Sequence, residues 1–203
     1  MDNRQAIKEQ LQAELNKIKP FSNGSPVTNL KLDKTIAEKI EKLTTELESV
    51  NPNLYPLVYA PSLLEGNWQL QYSTAREIRS LESLPLGLKL GKVYQVIDVA
   101  NKLFFNIAYV KHPLGLISGY VKVTASFEPV KDDSWTLPNK RISINFDKRY
   151  LSIEKIIGIK TPQLNPFKAV PANNPPNRVP ILDITYLDET LRIGRGGEGS
   201  LFI

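Results

Sequence analysis

The chain has 203 residues, 41% hydrophobic and 23% charged, enough for one large domain whose core needs no covalent staples. It holds no cysteine and a single histidine, His112, which excludes disulfides, thiolate metal sites, iron–sulfur clusters, cysteine nucleophiles and multi-imidazole metal centres. The net charge of +5 arises wholly after residue 49, because residues 1–49 carry eight basic and eight acidic side chains. Such a basic body suits anionic lipid, nucleic acid or an acidic partner, or simple solubility.

No apolar run reaches the roughly 18 residues of a membrane span. Met1 to Gln12 mixes charged and apolar residues, with Asp2 and Glu9, and matches neither a secretory signal nor an acid-free transit peptide. The expectation is a cytosolic protein, or the mature form of an imported one.

Residues 3–18 read as a helix, with Ile7, Leu11, Leu15 and Ile18 on one stripe. A turn-rich stretch from Pro20 to Asn29 follows. Asp33 is a good N-cap for a second helix, whose stripe is Ile36, Ile40, Leu43 and Leu47 and which ends before Asn51-Pro52. Both stripes are narrow, so each helix packs one side on something else, most simply a sheet.

From Trp68 the period changes to two. Segments at 68–72, 93–99, 103–109, 121–127, 142–146, 151–153, 182–186, 191–193 and 200–203 alternate apolar with polar residues and are joined mostly by short turns, among them Lys148-Arg149. In 103–109 the apolar set is Leu103, Phe105, Ile107 and Tyr109. A sheet of eight or nine strands with one dry face curls and closes to remove its edges. The expected fold is mainly β: an antiparallel up-and-down barrel at 63–203, with a helical segment at 1–62 packed on it. An open, strongly curved sheet wrapped round a helix is the alternative.

Three connections are long. Residues 75–92 end in Pro85-Leu86-Gly87-Leu88-Lys89-Leu90-Gly91, residues 111–118 read Lys-His-Pro-Leu-Gly-Leu-Ile-Ser, and residues 158–180 hold six prolines and no acid. Alternate connections of a meander share an end. The first two loops and the Lys148-Arg149 turn are therefore expected at one end, and the proline-rich loop at the other. Leu86, Leu88, Leu114 and Leu116 then rim a mouth, with Lys89, Lys92, Lys111, Lys148 and Arg149 nearby to meet anionic headgroups. The same leucines would equally plug the barrel if they folded inward.

The catalytic inventory is thin. His112 has no orienting carboxylate or nucleophile in pattern beside it. Asp132-Asp133 and Asp188-Glu189 are adjacent acids whose side chains diverge, which suits turns rather than a carboxylate dyad. Gly194-Arg195-Gly196-Gly197-Glu198-Gly199 lacks the following helix of a phosphate-cradling loop and the repetition of an RNA-binding RGG segment. It reads as a tight hairpin turn. Basic residues are scattered away from the aromatic face, so no nucleic-acid partner is expected. No catalytic residue, metal or cofactor is assigned.

Gly66-Asn67-Trp68 opens the first strand, and Arg192 or Arg195 lies near the last ones. This resembles the lipocalin arrangement, in which an arginine packs across the indole that closes one barrel end. Trp68, Tyr72, Phe105, Tyr109, Phe127 and Phe146, with Arg192, are the candidates for an inner wall, whether the barrel is hollow or filled.

Leu63-Leu64-Glu65-Gly66-Asn67-Trp68-Gln69-Leu70-Gln71-Tyr72-Ser73-Thr74 resembles the opening of the plastid lipid-associated protein (PAP/fibrillin) family. Thr185-Tyr186-Leu187-Asp188-Glu189-Thr190-Leu191-Arg192-Ile193-Gly194-Arg195-Gly196, then Gly199-Ser200-Leu201-Phe202, resembles its terminal signature. Tyr94 to Val99 and Asn51-Pro52 also fit, and the similarity runs over about residues 35–203. The resemblance implies a lipocalin-like barrel that binds or organises lipids, quinones or carotenoids at thylakoid or lipid-globule surfaces, without catalysis. It implies a cyanobacterial member associated with thylakoids, or a mature plastid form. Docking of a lipid-biosynthetic enzyme on the membrane and a small enzyme acting on an isoprenoid are the rival roles. Asp188, Arg192, Arg195 and Gly196 match the signature as structural positions.

Overall fold

The computed structural model describes residues 3–19, 24–81, 83–130, 140–172 and 178–203. The expected turn at Asp132-Asp133 and the centre of the proline-rich segment, residues 173–177, lie outside the described residues. Helix α1 (Asn3–Ile18) buries Ile7, Leu11, Leu15 and Ile18, the stripe its sequence presents. Helix α2 (Lys34–Ser49) buries Ile40, Leu43 and Leu47, and Asp33 caps it by accepting from the Thr35 N–H at 2.8 Å. Two short helices that the sequence reading missed, α3 (Pro56–Tyr59) and α4 (Pro61–Leu64), each begin at a proline. A further short helix, α5 (Arg76–Ser80), follows the first strands of the sheet.

The strands are β1 (Val27–Thr28), β2 (Gly66–Gln69), β3 (Tyr72–Ser73), β4 (Lys89–Asp98), β5 (Leu103–Lys111), β6 (Ile117–Pro129), β7 (Arg141–Ile156), β8 (Ile159–Lys160), β9 (Lys168–Pro171), β10 (Ile181–Leu187), β11 (Arg192–Gly196) and β12 (Leu201–Phe202). They form one twelve-stranded sheet in the order β1-β3-β12-β11-β10-β7-β6-β5-β4-β2, with β8 and β9 also on β7. The sheet is mixed, because β1 runs parallel to β3. It is barrel-like, but its ladder path is open. The two sides approach at Leu70-Gln71, the link between β2 and β3: Leu70 N–H bonds the Val93 carbonyl at 2.9 Å, and Gln71 N–H bonds the Ile203 carbonyl at 2.7 Å.

The chain path departs from a simple meander at two places. Lys148-Arg149 is not a turn. Both residues sit within the sixteen-residue strand β7, paired with Pro171 and Val170 of β9. The proline-rich stretch is not a loop confined to the far end; it starts at the end that bears the Leu-Gly-Leu loops and runs the length of β7, so that Pro180 meets Ile144 near the other end. It leaves β7 through Ile157-Gly158, beside the 112–116 turn, and returns along β7 as β8, a 3₁₀ turn at Pro162–Leu164, and β9. Its start therefore shares an end with the two Leu-Gly-Leu loops, while Lys148 and Arg149 lie away from that end.

Among the described residues, three buried clusters hold the fold. Helices α1 and α2 pack against Tyr72, Tyr186, Leu191, Ile193, Leu201 and Ile203, from β3, β10, β12 and their neighbours. Inside the curved sheet, Ile97, Phe104, Ala125, Phe127 and Ile142 meet, with Trp68, Ile144, Phe146 and Leu182 against them. Ala60, Leu64, Ile184 and Leu187 join α3 and α4 to β10. Among the described residues no helix is long and apolar enough to cross a membrane.

Candidate functional site

The terminal segment Tyr186–Arg195 is a set of fasteners. Asp188 Oδ1 accepts from the Thr190 and Leu191 N–H groups, both at 2.8 Å, and so shapes the β10–β11 turn. Its Oδ2 accepts from Lys8 Nζ at 2.6 Å and from the Tyr186 hydroxyl at 2.7 Å. Burial alone would raise this carboxyl, but the bonds from Lys8, Thr190, Tyr186 and Leu191 together hold it below the usual aspartate range. The same burial, with Asp188 as hydrogen-bond acceptor, pushes the Tyr186 hydroxyl upward. Lys8 belongs to α1, so this acid ties the first helix to the last hairpin.

Arg195 does the same for α2. Its Nε lies 2.8 Å and its Nη2 2.9 Å from the two oxygens of Glu48, and Nη2 is also 2.7 Å from Glu41. These bonds, Glu48 first, raise the guanidinium pKa above its ordinary value against the opposing effect of burial. The Asn51-Pro52-Asn53 turn is fastened similarly. The Asn51 amide donates to the Thr185 carbonyl at 3.0 Å and accepts from the Leu187 N–H at 3.2 Å, while Asn53 donates to the Leu187 carbonyl at 2.8 Å.

Arg192 points to the other face. Its guanidinium carbon is 5.5 Å from the centre of the Trp68 ring, within cation–π range. The indole N–H is anchored on the Leu64 carbonyl at 3.0 Å. Of the two arginines named from the sequence, Arg192 makes the closure and Arg195 holds the helix. Desolvation brings Arg192 down to about 10. Around it Leu57, Leu64, Gln95, Phe104, Phe127 and Ile184 leave about 20 Å³, room for about one water. This part of the interior is packed.

The candidate inner-wall residues divide among three places. Trp68, Phe127, Phe146 and Arg192 do face the interior cluster or its small cavity. Tyr72 lies instead among the buried residues under α1 and α2, where burial lifts its hydroxyl to about 12. Phe105 and Tyr109 lie on the opposite face of β5 from Phe104 and Ala108, because directly paired residues share a face and alternate along the strand. The expected apolar set of β5 is thus the set that looks outward.

That outward face carries a groove of about 830 Å³. Tyr94, Val96, Phe105, Ile107 and Tyr109 line it, with Asn67, Lys92, Lys111, Ser118 and Glu154 adding polar groups. Tyr109 stands edge-on to Tyr94 at 6.3 Å between centroids and meets Tyr120 on its other side at 6.0 Å. Lys122 Nζ sits 4.1 Å over the Phe105 ring. The sequence signal for this site was present in β4 and β5, whose two faces are both apolar. A reading that allowed one wet face had to discard one of them.

The expected mouth residues are placed unequally. Leu86 and Leu114 are each 79% exposed, Leu116 is 43% exposed, and Leu88 is half-buried. Among the described residues no cluster of three or more metal-ligating side chains occurs.

The chain is 31% identical over 197 residues to Plastoglobulin-1, chloroplastic, of Pisum sativum, covering 83% of this chain and 54% of that one. It is 33% identical over 154 residues to Plastid-lipid-associated protein 6, chloroplastic, of Arabidopsis thaliana, covering 68% and 51%. It is 29% identical over 205 residues to the chromoplast-specific carotenoid-associated protein of Cucumis sativus, covering 86% and 62%. The chain spans about half the length of the first of these relatives. No solved structure matches significantly. The PAP_fibrillin family model matches residues 17–203, from the end of α1 through the Asp188, Arg192 and Arg195 contacts to the last residue, and the chain belongs to that family.

Proposed function

We propose that the chain is a non-enzymatic protein that binds and organises hydrophobic lipid of the isoprenoid class, a quinone or carotenoid, as a peripheral component of a thylakoid or lipid-globule surface. The observation that carries this reading is the outward groove. Its volume of about 830 Å³ falls within the roughly 300–1,000 Å³ of small-molecule sites, and its walls are aromatic and aliphatic. The interior near Arg192, with about 20 Å³, has no such room. An apolar chain laid against Val96, Phe105 and Ile107 leaves water, and a ring stacks against Tyr94 and Tyr109. The relatives' names, plastoglobulin and carotenoid-associated protein, support association with lipid rather than turnover.

The test is native mass spectrometry of protein purified from its own source, followed by the same measurement on Ile107→Glu. Ile107 is half-buried in the groove wall and away from the three core clusters, so the charge fills the groove without entering a core. Co-purifying isoprenoid lipid on the wild type, lost from a folded Ile107→Glu variant, is the expected result. Retention of that lipid by the variant would overturn the assignment to the groove, and a lipid-free wild type would overturn the binding function.

A further inference from the structure

Three turns end side by side at one end of the sheet. The first is Pro85–Gly87, the second is the 112–116 turn between β5 and β6, and the third is Ile157-Gly158 between β7 and β8. A Cβ placed on Gly87 would lie 3.6 Å from His112 Nε2, which puts the first turn against the second. The Ile157 N–H donates to the Leu116 carbonyl at 2.8 Å, which joins the second to the third. Each turn presents large apolar side chains to solvent: Leu86, Leu114, Ile157 and Ile159 are 71% to 79% exposed. Contiguous exposure of this kind marks an interaction surface.

Two of the tips carry backbone strain without burial in return. Leu86 has φ 58° and Ile157 has φ 48°, the left-handed region that large and β-branched residues avoid. Ile157 and Gly158 both have positive φ between the paired residues Ile156 and Ile159, the geometry of a two-residue hairpin that asparagine-glycine fills best.

Behind the tips lie two like-charged cross-strand pairs. Lys89 is paired directly with Lys111, and Lys155 with Lys160. Like charges opposite each other oppose the ladder in water. None of the four makes an ion pair among the described residues. Segments 85–92, 111–117 and 155–160 together hold five lysines and no acid, and the nearest carboxylate in sequence is Glu154.

We propose that this rim docks the protein on an anionic lipid surface: Leu86, Leu114, Ile157 and Ile159 enter the acyl boundary while the Lys89–Lys111 and Lys155–Lys160 pairs meet anionic headgroups. The proposal rests on the lipid-associated reading above and adds the contact face and the headgroup charge. A lipid surface accepts unrelated apolar tips without matching their shape, and its spread negative charge relieves both lysine pairs at once. A protein partner would need carboxylates at two separate places around an apolar hollow. Lys111 also lines the groove, so a docked protein holds one end of that groove at the membrane.

The experiment is flotation of the full chain with vesicles of phosphatidylcholine alone or with about one-third phosphatidylglycerol. Two variants are compared with the wild type. The first, Leu86→Asn with Ile157→Asn, removes two apolar tips but puts a residue that favours left-handed backbone at each strained site, so its melting temperature stays level or rises. It is expected to bind anionic vesicles at least about tenfold more weakly. The second replaces Lys89, Lys111, Lys155 and Lys160 by glutamine and is expected to lose the preference for phosphatidylglycerol. Equal binding by the wild type and a folded asparagine variant would overturn the rim as the contact face. Equal wild-type binding to both vesicle types would overturn the headgroup charge and leave lipid association standing. Co-purified lipid with no vesicle binding would overturn the docking alone.

Discussion

Lys8, on the first helix, and Asp188, at the last turn but one, meet at 2.6 Å across 180 residues of sequence. The carboxylate is buried and accepts five bonds, two on Oδ2 and three on Oδ1, the weakest from the Thr190 hydroxyl at 3.4 Å. One acid therefore fixes a turn, a buried tyrosine and the docking of α1 together.

Asp188→Asn tests this directly. The amide keeps an acceptor for the Thr190 and Leu191 N–H groups but presents N–H toward the Lys8 ammonium. The expected loss at neutral pH is about 1.5–3 kcal/mol, the range for bonds to a charged group. The pH dependence follows from the depressed carboxyl. A folded-state pKa below the unfolded one adds stability that is complete above about pH 4–5 and disappears as pH falls through the folded value. Wild type and variant should therefore differ by the full amount at pH 7 and converge in strong acid. A gap in urea-denaturation stability that stays constant down to pH 2 would show that the lost term is packing.

Arg195→Lys should also destabilise, by about 1–2 kcal/mol, although the charge is kept. The guanidinium contacts both oxygens of Glu48 through two nitrogens and reaches Glu41 with one of them, a fork that a lysine ammonium cannot reproduce. The arginine side chain is 23% exposed and Glu48 14%, so solvent weakens the pair only in part. Chemical denaturation of Arg195→Lys beside Glu48→Gln reads the effect. If lysine matched the wild type, the fork geometry would be irrelevant and simple charge would hold α2.

Much of this architecture was legible in the residues, and the exceptions have particular causes. Both main helices follow their four-residue stripes, and Asp33 caps as its type suggests. The turn at 196–199 is a tight hairpin, closed by Gly199 N–H to the Gly196 carbonyl at 2.8 Å. β5 was misread because the more bulky alternate set looked like core. The true inward set is Phe104, Asn106 and Ala108, and its polar member accepts from Gln95 at 3.0 Å, a cross-strand bond that depends on the β4–β5 register. Lys148-Arg149 looked like a turn because two charges interrupt an apolar alternation. In space that half of β7 faces solvent and pairs with β9, where charge is tolerated. The third apolar tip was hidden by that error, since Ile156 to Ile159 became a rim only once β7 ran unbroken to the end that bears Leu86 and Leu114.

Gly119 is expected to be the least replaceable glycine of the sheet. A Cβ built there would lie 2.0 Å from the Ser152 carbonyl oxygen and 3.1 Å from the Ile153 Cα, both backbone atoms that cannot swing aside. The position sits at a register shift between β6 and β7, where the two strands come close. Gly119→Ala should cost more than about 3 kcal/mol or prevent folding, whereas Gly115→Ala, in the exposed turn with no atom within 4 Å, pays only for its positive φ. Circular dichroism melts of the two variants make the comparison, and equal melting temperatures would contradict the close approach.

Arg192 holds its guanidinium over the Trp68 ring inside a packed part of the sheet. Two opposed effects act on this arginine. Burial penalises the cation, as its lowered pKa of about 10 records, while the indole face at 5.5 Å attracts it. At pH 7 it remains charged, so the contact is a genuine cation–π pair in a partly desolvated site, worth about 1–2 kcal/mol. Arg192→Met keeps most of the stem that packs near Leu64, Phe104 and Ile184 and deletes only the guanidinium. If attraction outweighs desolvation, the variant loses about 1–2 kcal/mol, and Trp68→Leu combined with it loses less than the sum of the two single changes. A stable Arg192→Met variant with additive losses would mean that the indole closes this end through packing and its bond to the Leu64 carbonyl, with the arginine contributing nothing net.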